Sequence, residues 1–513
     1  PAFIGYTERA VNVNDDLTNV PWKISSMTEY IQYFGGGPDL KFEVDIKDGS
    51  LCIEGKNSYT LYYNMMLFFA NGGGACYIVS VGSYKDALKK DSMITGLGKL
   101  TLEQEITLVA IPEAVNLSSS EEFKDIQQQM LSHCGNTMKN RFALLDIYPK
   151  ANEKTKIEDQ VNFFCDNIGS SFLSYGAAYF PWLNTSIVGG RDLKGDMFTW
   201  TDNAYIHRTQ LDAGFAEIVE SLFVEEFEIK ENVVKNGHTF KLEEVVEGDI
   251  YADSDTEKTK VIGRIESIKD IKEAGNEKVI KKNVKVVWLF PNNVDKQALH
   301  QALYNVSSVY KQAIKGVLKN LNLFPPSAAM AGIYTMVDNS RGVWKAPANV
   351  TLNYVGSTVE DIDDEQQAEL NVPIHGKAVN VIRLFRGEGI KVWGARTLDG
   401  NSLDWRYVNV RRTLLFLEES IKNAARAYVF EPNDAGTWIN MKCMIENFLR
   451  SVWKRGGLAG ATPEDAYEVH VGLGDTMTPE DILEGIMRIT VLVAISHPAE
   501  FIEITFQQQA QKS

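Results

Sequence analysis

Few residues here could do chemistry, and their spacing assembles no site. Gly387-x-Gly389 opens like a dinucleotide loop. However, the third glycine position is Val392 and the following residues read as a strand, where the phosphate-binding turn must lead into a helix N-terminus. Gly96-Leu97-Gly98-Lys99 lacks both the leading glycine and the hydroxyl of a nucleotide-binding loop. His133-Cys134 could be drawn as a thiol beside its base, yet neighbouring helical residues point about 100° apart, so a structural pair is the expectation. His207, His238, His300, His375, His470 and His497 stand alone, without HxH or HExxH spacing. Paired acids such as Glu418-Glu419 and Asp363-Asp364 fit solvated faces or turns. The expectation is no catalytic, cofactor-binding or metal-binding residue.

The arginines need separate weighing. Arg383, Arg386, Arg396, Arg406, Arg411 and Arg412 cluster beside Trp393, Trp405 and Tyr407. That mixture suits nucleic acid, through stacking and phosphate contact. It equally suits inter-subunit ion pairs and arginine-aromatic packing, the reading favoured in a chain of net charge −16.

The elements around these residues are legible. Val379 to Leu384 reads as a strand, Gly387 and Gly389 as a reversal, and Ile390 to Trp393 as a second strand. From Asn409 the period changes: Leu414, Leu417, Ile421, Ala424 and Tyr428 form one helical face, with Arg411, Arg412, Glu418 and Lys422 on the others. Glu431-Pro432-Asn433-Asp434 ends that unit and can start a helix over Thr437 to Lys454.

Upstream, Ser26-Met27-Thr28-Glu29 has capping-box spacing for a helix to Phe34. Helices at Tyr59 to Ala70 and Glu121 to Cys134 alternate with apolar strands at Ala75 to Val81, Glu105 to Ile111 and Arg141 to Ile147. This rhythm predicts a largely parallel sheet covered on both faces. Val284 to Phe290 reads as a strand and Val294 to Leu321 as one long amphipathic helix. Between Glu225 and Lys282 fifteen acids and eleven Lys/Arg surround an Asn236-Gly237 turn signal, which predicts a charged β-rich surface insertion. Thr462 and Thr478 each cap a Pro-Glu-Asp helix start, and Ile489 to Ile495 alternates as a strand.

At 513 residues, 44% hydrophobic and 23% charged, the composition is that of a globular chain of two or three domains. The most apolar runs, Tyr59 to Ala70 and Ile489 to Ile495, fall short of the roughly 20 residues of a bilayer helix. Five scattered cysteines without CxxC argue for a reducing compartment of synthesis. The chain starts at Pro1 and not at Met, so an upstream piece is expected.

The last strand decides most. Phe501-Ile502-Glu503-Ile504-Thr505-Phe506 alternates, with Ile502, Ile504 and Phe506 on one face. Such a terminal strand either closes its own sheet or pairs with another subunit.

Five blocks also carry a resemblance. RGVWKAPAN (Arg341 to Asn349), GIKVWGARTL (Gly389 to Leu398), WRYVNVRR (Trp405 to Arg412), VFEPND (Val429 to Asp434) and LAGATPEDAY (Leu458 to Tyr467) resemble, in order, the signature blocks of contractile tail sheath proteins. The likeness is densest from about Ser327 to Phe506. It implies a structural subunit that polymerises helically around an inner tube and contracts to drive the tube through a target envelope. Alternatives are a sheath-like assembly with a single static lattice and an α/β enzyme with an unfamiliar pocket.

The implied partners are further copies of the chain, paralogous sheath subunits, the inner tube, and baseplate and cap proteins, with neither nucleic acid nor membrane insertion. Synthesis is expected in the bacterial cytoplasm, before assembly into a phage tail or extracellular particle. The resemblance turns Phe501 to Phe506 into an exchange arm, preceded in the family by an N-terminal arm upstream of Pro1. The helix carrying Lys442, Glu446, Arg450 and Lys454 becomes a tube-facing element.

The expected fold class is α/β and multidomain. Residues 1–20 form an N-terminal strand and linker, 21–199 an α/β domain, 200–283 the charged insertion and 284–350 a return to the α/β domain. A sheath core domain at 351–497 and the arm at 498–513 complete it.

Overall fold

The computed structural model describes residues 1–55, 57–148, 157–201, 204, 211–235, 238–253, 260–273, 278–288, 295–372 and 376–500. The chain divides into two compact units, one of Pro1–Pro38, Ser58–Ile187 and Leu323–Ser513, the other of Asp39–Asn57 and Val188–Asn322.

The first unit is built on nine strands: β1 (Ala2–Thr7), β2 (Trp22–Ile24), β3 (Cys76–Ser83), β4 (Leu108–Ala110), β5 (Phe142–Asp146), β6 (Gly176–Phe180), β7 (Val350–Thr351), β8 (Val379–Phe385) and β9 (Gly389–Val392). Their spatial order is β7-β9-β8-β6-β5-β4-β1-β3-β2. The six from β8 to β3 run parallel, in registers such as Ala2 opposite Tyr77 on one side and Val109 on the other. β2 is an antiparallel edge, and at the other end β9 pairs antiparallel with both β8 and the edge strand β7.

The runs FALLD and GAAYF are buried throughout because the sheet is covered twice. Ile4, Val79, Leu145 and Val381 point to one face, where Met93, Leu97, Ile126 and Met130 of helices Lys90–Lys99 and Ser120–Ser132 meet them. Phe3, Ile78, Leu144 and Ile382 point to the other, against helices α1 (Leu61–Ala70) and α2 (Ser327–Arg341). One-residue alternation sorts the two layers.

Gly387 and Gly389 adopt φ of +82° and +88°, which is what the tight β8–β9 reversal asks of them. Downstream, α3 (Val408–Ala425) and α4 (Ala435–Lys454) pack Leu417, Ile445, Leu449 and Val452 against a two-stranded sheet of β10 (Tyr467–His470) and β11 (Thr490–Val493). Asp434 caps α4 by accepting from the Thr437 N–H at 3.0 Å.

The second unit holds a three-stranded sheet of Phe42–Lys47, Ser50–Glu54 and Phe198–Trp200. It also holds a four-stranded sheet of Val224–Ile229, Ile250–Asp253, Lys260–Lys272 and Val279–Trp288, centred on Ile229, Ile265, Val286 and Trp288. Strands Asn232–Lys235 and His238–Lys241 pair with Lys235 opposite His238, while Asn236-Gly237 lies outside the described residues.

Several expectations are corrected. The boundaries at 199/200, 283/284 and 350/351 are not those of the fold: Asp39–Asn57, 188–199 and 284–322 belong with the stretch read as an insertion. Nor is 351–497 a separate domain, since β8 and β9 continue the sheet begun by β1. The long helix over 294–321 is two, Lys296–Val306 and Ser308–Leu321. Between them Ser307 accepts from the Tyr310 N–H at 3.1 Å while its hydroxyl donates to Asp212 at 3.0 Å, so a cap interrupts an unbroken apolar period. The strand read over Glu105 to Ile111 shortens to Leu108–Ala110.

Candidate functional site

In a doubly wound sheet the ligand crevice lies at the carboxyl ends of the strands, where their order reverses. Here the reversal is between β1 and β4, and the chain fills it with its own carboxylate. Glu113 follows β4 in the turn Pro112–Asn116 and is fully buried. Its Oε2 accepts from the Tyr6 N–H at 2.6 Å and its Oε1 from the Thr60 and Leu61 N–H groups at 2.7 and 3.1 Å. Thr60, the N-cap of α1, makes no side-chain cap bond, so Glu113 serves that helix end instead. A Cβ on Gly5 would stand 2.6 Å from Oε2, which is why β1 carries glycine there. Asp146, at the end of β5, accepts from the Ser327 N–H at 2.9 Å and the Ser327 hydroxyl at 2.5 Å, holding the start of α2.

Burial pushes Glu113 up to about 7 against the pull of its three backbone donors, and burial pushes Asp146 up to about 7 against its Ser327 bonds. A carboxyl raised in the folded state binds more protons there than when unfolded. Its stabilising contribution is therefore complete below about pH 4 and is lost as pH rises through about 7. For Glu113 the change is on the order of 3 kcal/mol. Urea midpoints of the unassembled chain are expected to fall between about pH 5 and pH 8, and Glu113→Gln to flatten that slope; an equal slope in the variant would place the proton elsewhere.

His133 and Cys134 are a structural pair, as the spacing predicts. The Arg141 guanidinium meets His133 Nε2 at 2.9 Å and donates to the Glu103 carbonyl. Burial, helped by Arg141, pushes His133 down to about 4, and burial pushes the Cys134 thiol up to about 12, so neither is poised to react at neutral pH.

The arginine cluster turns inward. Arg411, placed by periodicity on a polar face of α3, is buried between the rings of Tyr175 and Trp405, at 3.9 and 4.7 Å. Arg412, also expected on that face, is buried over Tyr334 at 4.8 Å and forks onto Asp338 at 2.9 and 2.5 Å. Arg383 bonds Asp364 and Gln367, both at 2.6 Å, and Arg406 the Ser402 carbonyl at 3.0 Å. These partners belong to the same chain, so the arginine–aromatic packing of the favoured reading is present within the subunit; Arg386 alone of the six is exposed. Cation–π packing and bidentate pairing hold the base of α3 to the sheet.

On α4, Lys442 and Glu446 pair at 3.9 Å, and Arg450 and Lys454 continue the same i,i+4 row, exposed and without an ion pair among the described residues.

The carboxy-terminal strand, Phe501 to Phe506, lies outside the described residues, but its root is fixed. The Ser496 carbonyl accepts from Asn409 Nδ2 at 3.0 Å. Glu500 is held by Arg396, whose Nε reaches Oε1 and Oε2 at 2.9 and 3.1 Å and whose NH2 reaches Oε2 at 2.6 Å; the Tyr407 hydroxyl adds a bond at 3.2 Å. Residues 498–500 therefore belong to the body, where the arm was expected to begin at 498. Glu113, Asp146 and the Arg396–Glu500 pair escaped the sequence reading. The available signal was an acid placed just past an apolar strand, as in ALLD and VAIPE.

The crevice is filled from within, and the fold is similar to that of solved contractile sheath proteins. The resemblance to contractile tail sheath proteins holds in sequence as well: residues 401–509 match the family described as the phage tail sheath C-terminal domain. The tail sheath protein of Vibrio phage KVP40 is 23% identical over 160 residues, 31% of this chain and 22% of that protein. A putative prophage major tail sheath protein of Pseudomonas aeruginosa strain UCBPP-PA14 is 29% identical over 100 residues, 19% of this chain and 25% of the relative. The matched stretches thus span about a quarter or less of the curated relatives. The fold match is wider: the anti-feeding prophage helical sheath in its contracted state shares it at a TM-score of 0.56 and 24% identity, over 99% of this chain and 93% of that one. Among the described residues no helix is long and apolar enough to cross a membrane.

Proposed function

We propose that this chain is the subunit of a contractile sheath: copies polymerise helically around an inner tube, hold an extended metastable lattice, and contract to drive the tube through a target envelope. The observation that carries the reading is the sheath-domain match over 401–509, which coincides with the segment holding the root of the carboxy-terminal strand. The energy of contraction sits in the extended lattice, so the mechanism asks for no nucleotide site in the chain.

Continuity through the change comes from strand exchange, with Ile502, Ile504 and Phe506 as the apolar row. The proposed seat is β10–β11 of a neighbour, to which no third strand is joined among the described residues. A groove of about 710 Å³ lined by Ile421, Tyr428, Met441, Ile445, Ile489 and Val491 adjoins it. Main-chain bonds give such an arm its affinity and alternate side chains its register. Baseplate, cap and paralogous sheath subunits are further partners in this reading.

The row Lys442, Glu446, Arg450 and Lys454 is the proposed tube-facing surface. Reversing Arg450 and Lys454 to Glu is expected to cost the monomer no more than about 1–2 kcal/mol, since both are exposed and without an ion pair among the described residues and only the dipole at the end of α4 opposes the new charges. Co-sedimentation with tube is expected to be lost; retention of wild-type binding would remove this helix from the tube interface. Negative-stain images test the whole reading. Tubes that shorten and widen under mild denaturant are expected. A single static lattice, or a monomer with ligand-dependent melting, would favour the alternatives.

A further inference from the structure

Arg396 is worked harder than any other side chain near the end of the described chain. It is 3% exposed, and its three guanidinium nitrogens are all committed: Nε and NH2 to Glu500, NH1 to the Asn371 carbonyl at 2.9 Å. Its ring neighbour is Tyr407, 5.9 Å away, whose hydroxyl bonds the same carboxylate. Its backbone is locked too. Asn380, on interior strand β8, accepts from the Arg396 N–H at 2.6 Å and donates to the Arg396 carbonyl at 2.7 Å and to that of Ala178 at 3.2 Å. A continuous polar chain therefore runs from the interior of the sheet to the last described residue. A bidentate, charge-assisted contact of this kind fixes direction as well as distance. Glu500 is 18% exposed and borders a cavity of about 470 Å³, so solvent reaches the clasp from one side and it can open without unfolding the body.

We propose that Arg396 is a positioning residue for the carboxy-terminal segment: with Tyr407 it clasps Glu500, so that the place from which the chain continues beyond Glu500 is set by the sheet. The consequence for assembly rests on the proposed strand exchange; the clasp itself does not. A clasped root presents residues 501 to 506 to a neighbour from one fixed point, while a released root spreads them over many directions and lowers the effective concentration of the arm.

The test uses the full-length unassembled protein and two substitutions, Glu500→Gln and Arg396→Lys, singly and together. The order parameters of the Ala499 and Glu500 backbone amides, read by NMR relaxation, are expected to fall from the rigid range to below about 0.6 in each single variant, with no further fall in the double. Glu500→Gln keeps a side-chain oxygen for Arg396 but removes the charge that balances a nearly buried guanidinium, so its melting transition is measured alongside, and it reports even where Arg396→Lys folds poorly. Unchanged order parameters in folded Glu500→Gln overturn the proposal. A fall accompanied by a tenfold or greater rise in the concentration needed for tubes supports both the clasp and the exchange reading. A fall with wild-type tube formation supports the clasp and counts against strand exchange.

Discussion

Ending the chain after Glu500 is expected to yield a folded monomer that no longer makes tubes. An arm of five or six backbone hydrogen bonds at a net ~0.5–1.5 kcal/mol each contributes on the order of 3–8 kcal/mol per contact. Its loss raises the concentration needed for assembly by roughly 10²- to 10⁶-fold. The Arg396 clasp is retained in this truncation, and the cores on both faces of the sheet contain no residue beyond 408. The melting transition should therefore stay within about a degree of wild type. Pelleting assays across a concentration series measure the threshold. Tubes at the wild-type concentration would show that residues 501–513 do not link subunits.

The second large effect belongs to Arg412. Its fork onto Asp338, with Tyr334 beneath and the Tyr334 hydroxyl bonded to Tyr179 at 2.8 Å, joins α3 to α2, with the guanidinium nearly buried and the carboxylate facing a groove that both line. Arg412→Met keeps much of the stem but strands a carboxylate that is only 27% exposed. Removing one partner of such a pair costs about 3–5 kcal/mol, more than the pair is worth against an apolar replacement. The double variant Arg412→Met/Asp338→Asn should accordingly recover at least half of the loss. Guanidinium denaturation of the two variants beside wild type decides it. A single-variant loss below about 1 kcal/mol would mean that the pair is solvated in practice.

Sequence periodicity exposed what depends on neighbours along the chain. Leu108–Ala110 and Phe142–Asp146 lie within runs that read as buried strands because both faces of each are covered, and Asp434 announced α4 through its cap; Gly176–Phe180, equally buried, was not read as a strand. What stayed hidden depends on distant partners. β6 ends at Phe180 and its parallel neighbour β8 starts at Val379, so one sheet is split by the second unit and looked like two domains. Arg411 and Arg412 broke the amphipathic rule because aromatic rings and a carboxylate from other elements receive them, and a helical wheel cannot show that. Glu113 and Glu500 are two among 68 acids, set apart only by the N–H groups and the guanidinium that face them.

A helical reconstruction of the assembled protein, with the backbone traced past Glu500, puts the mechanical role to its most direct trial. The account predicts that residues 502–506 cross to an adjacent subunit and lengthen its β10–β11 sheet in both the extended and the contracted lattice. A trace in which the same residues hydrogen-bond only to their own chain would contradict it.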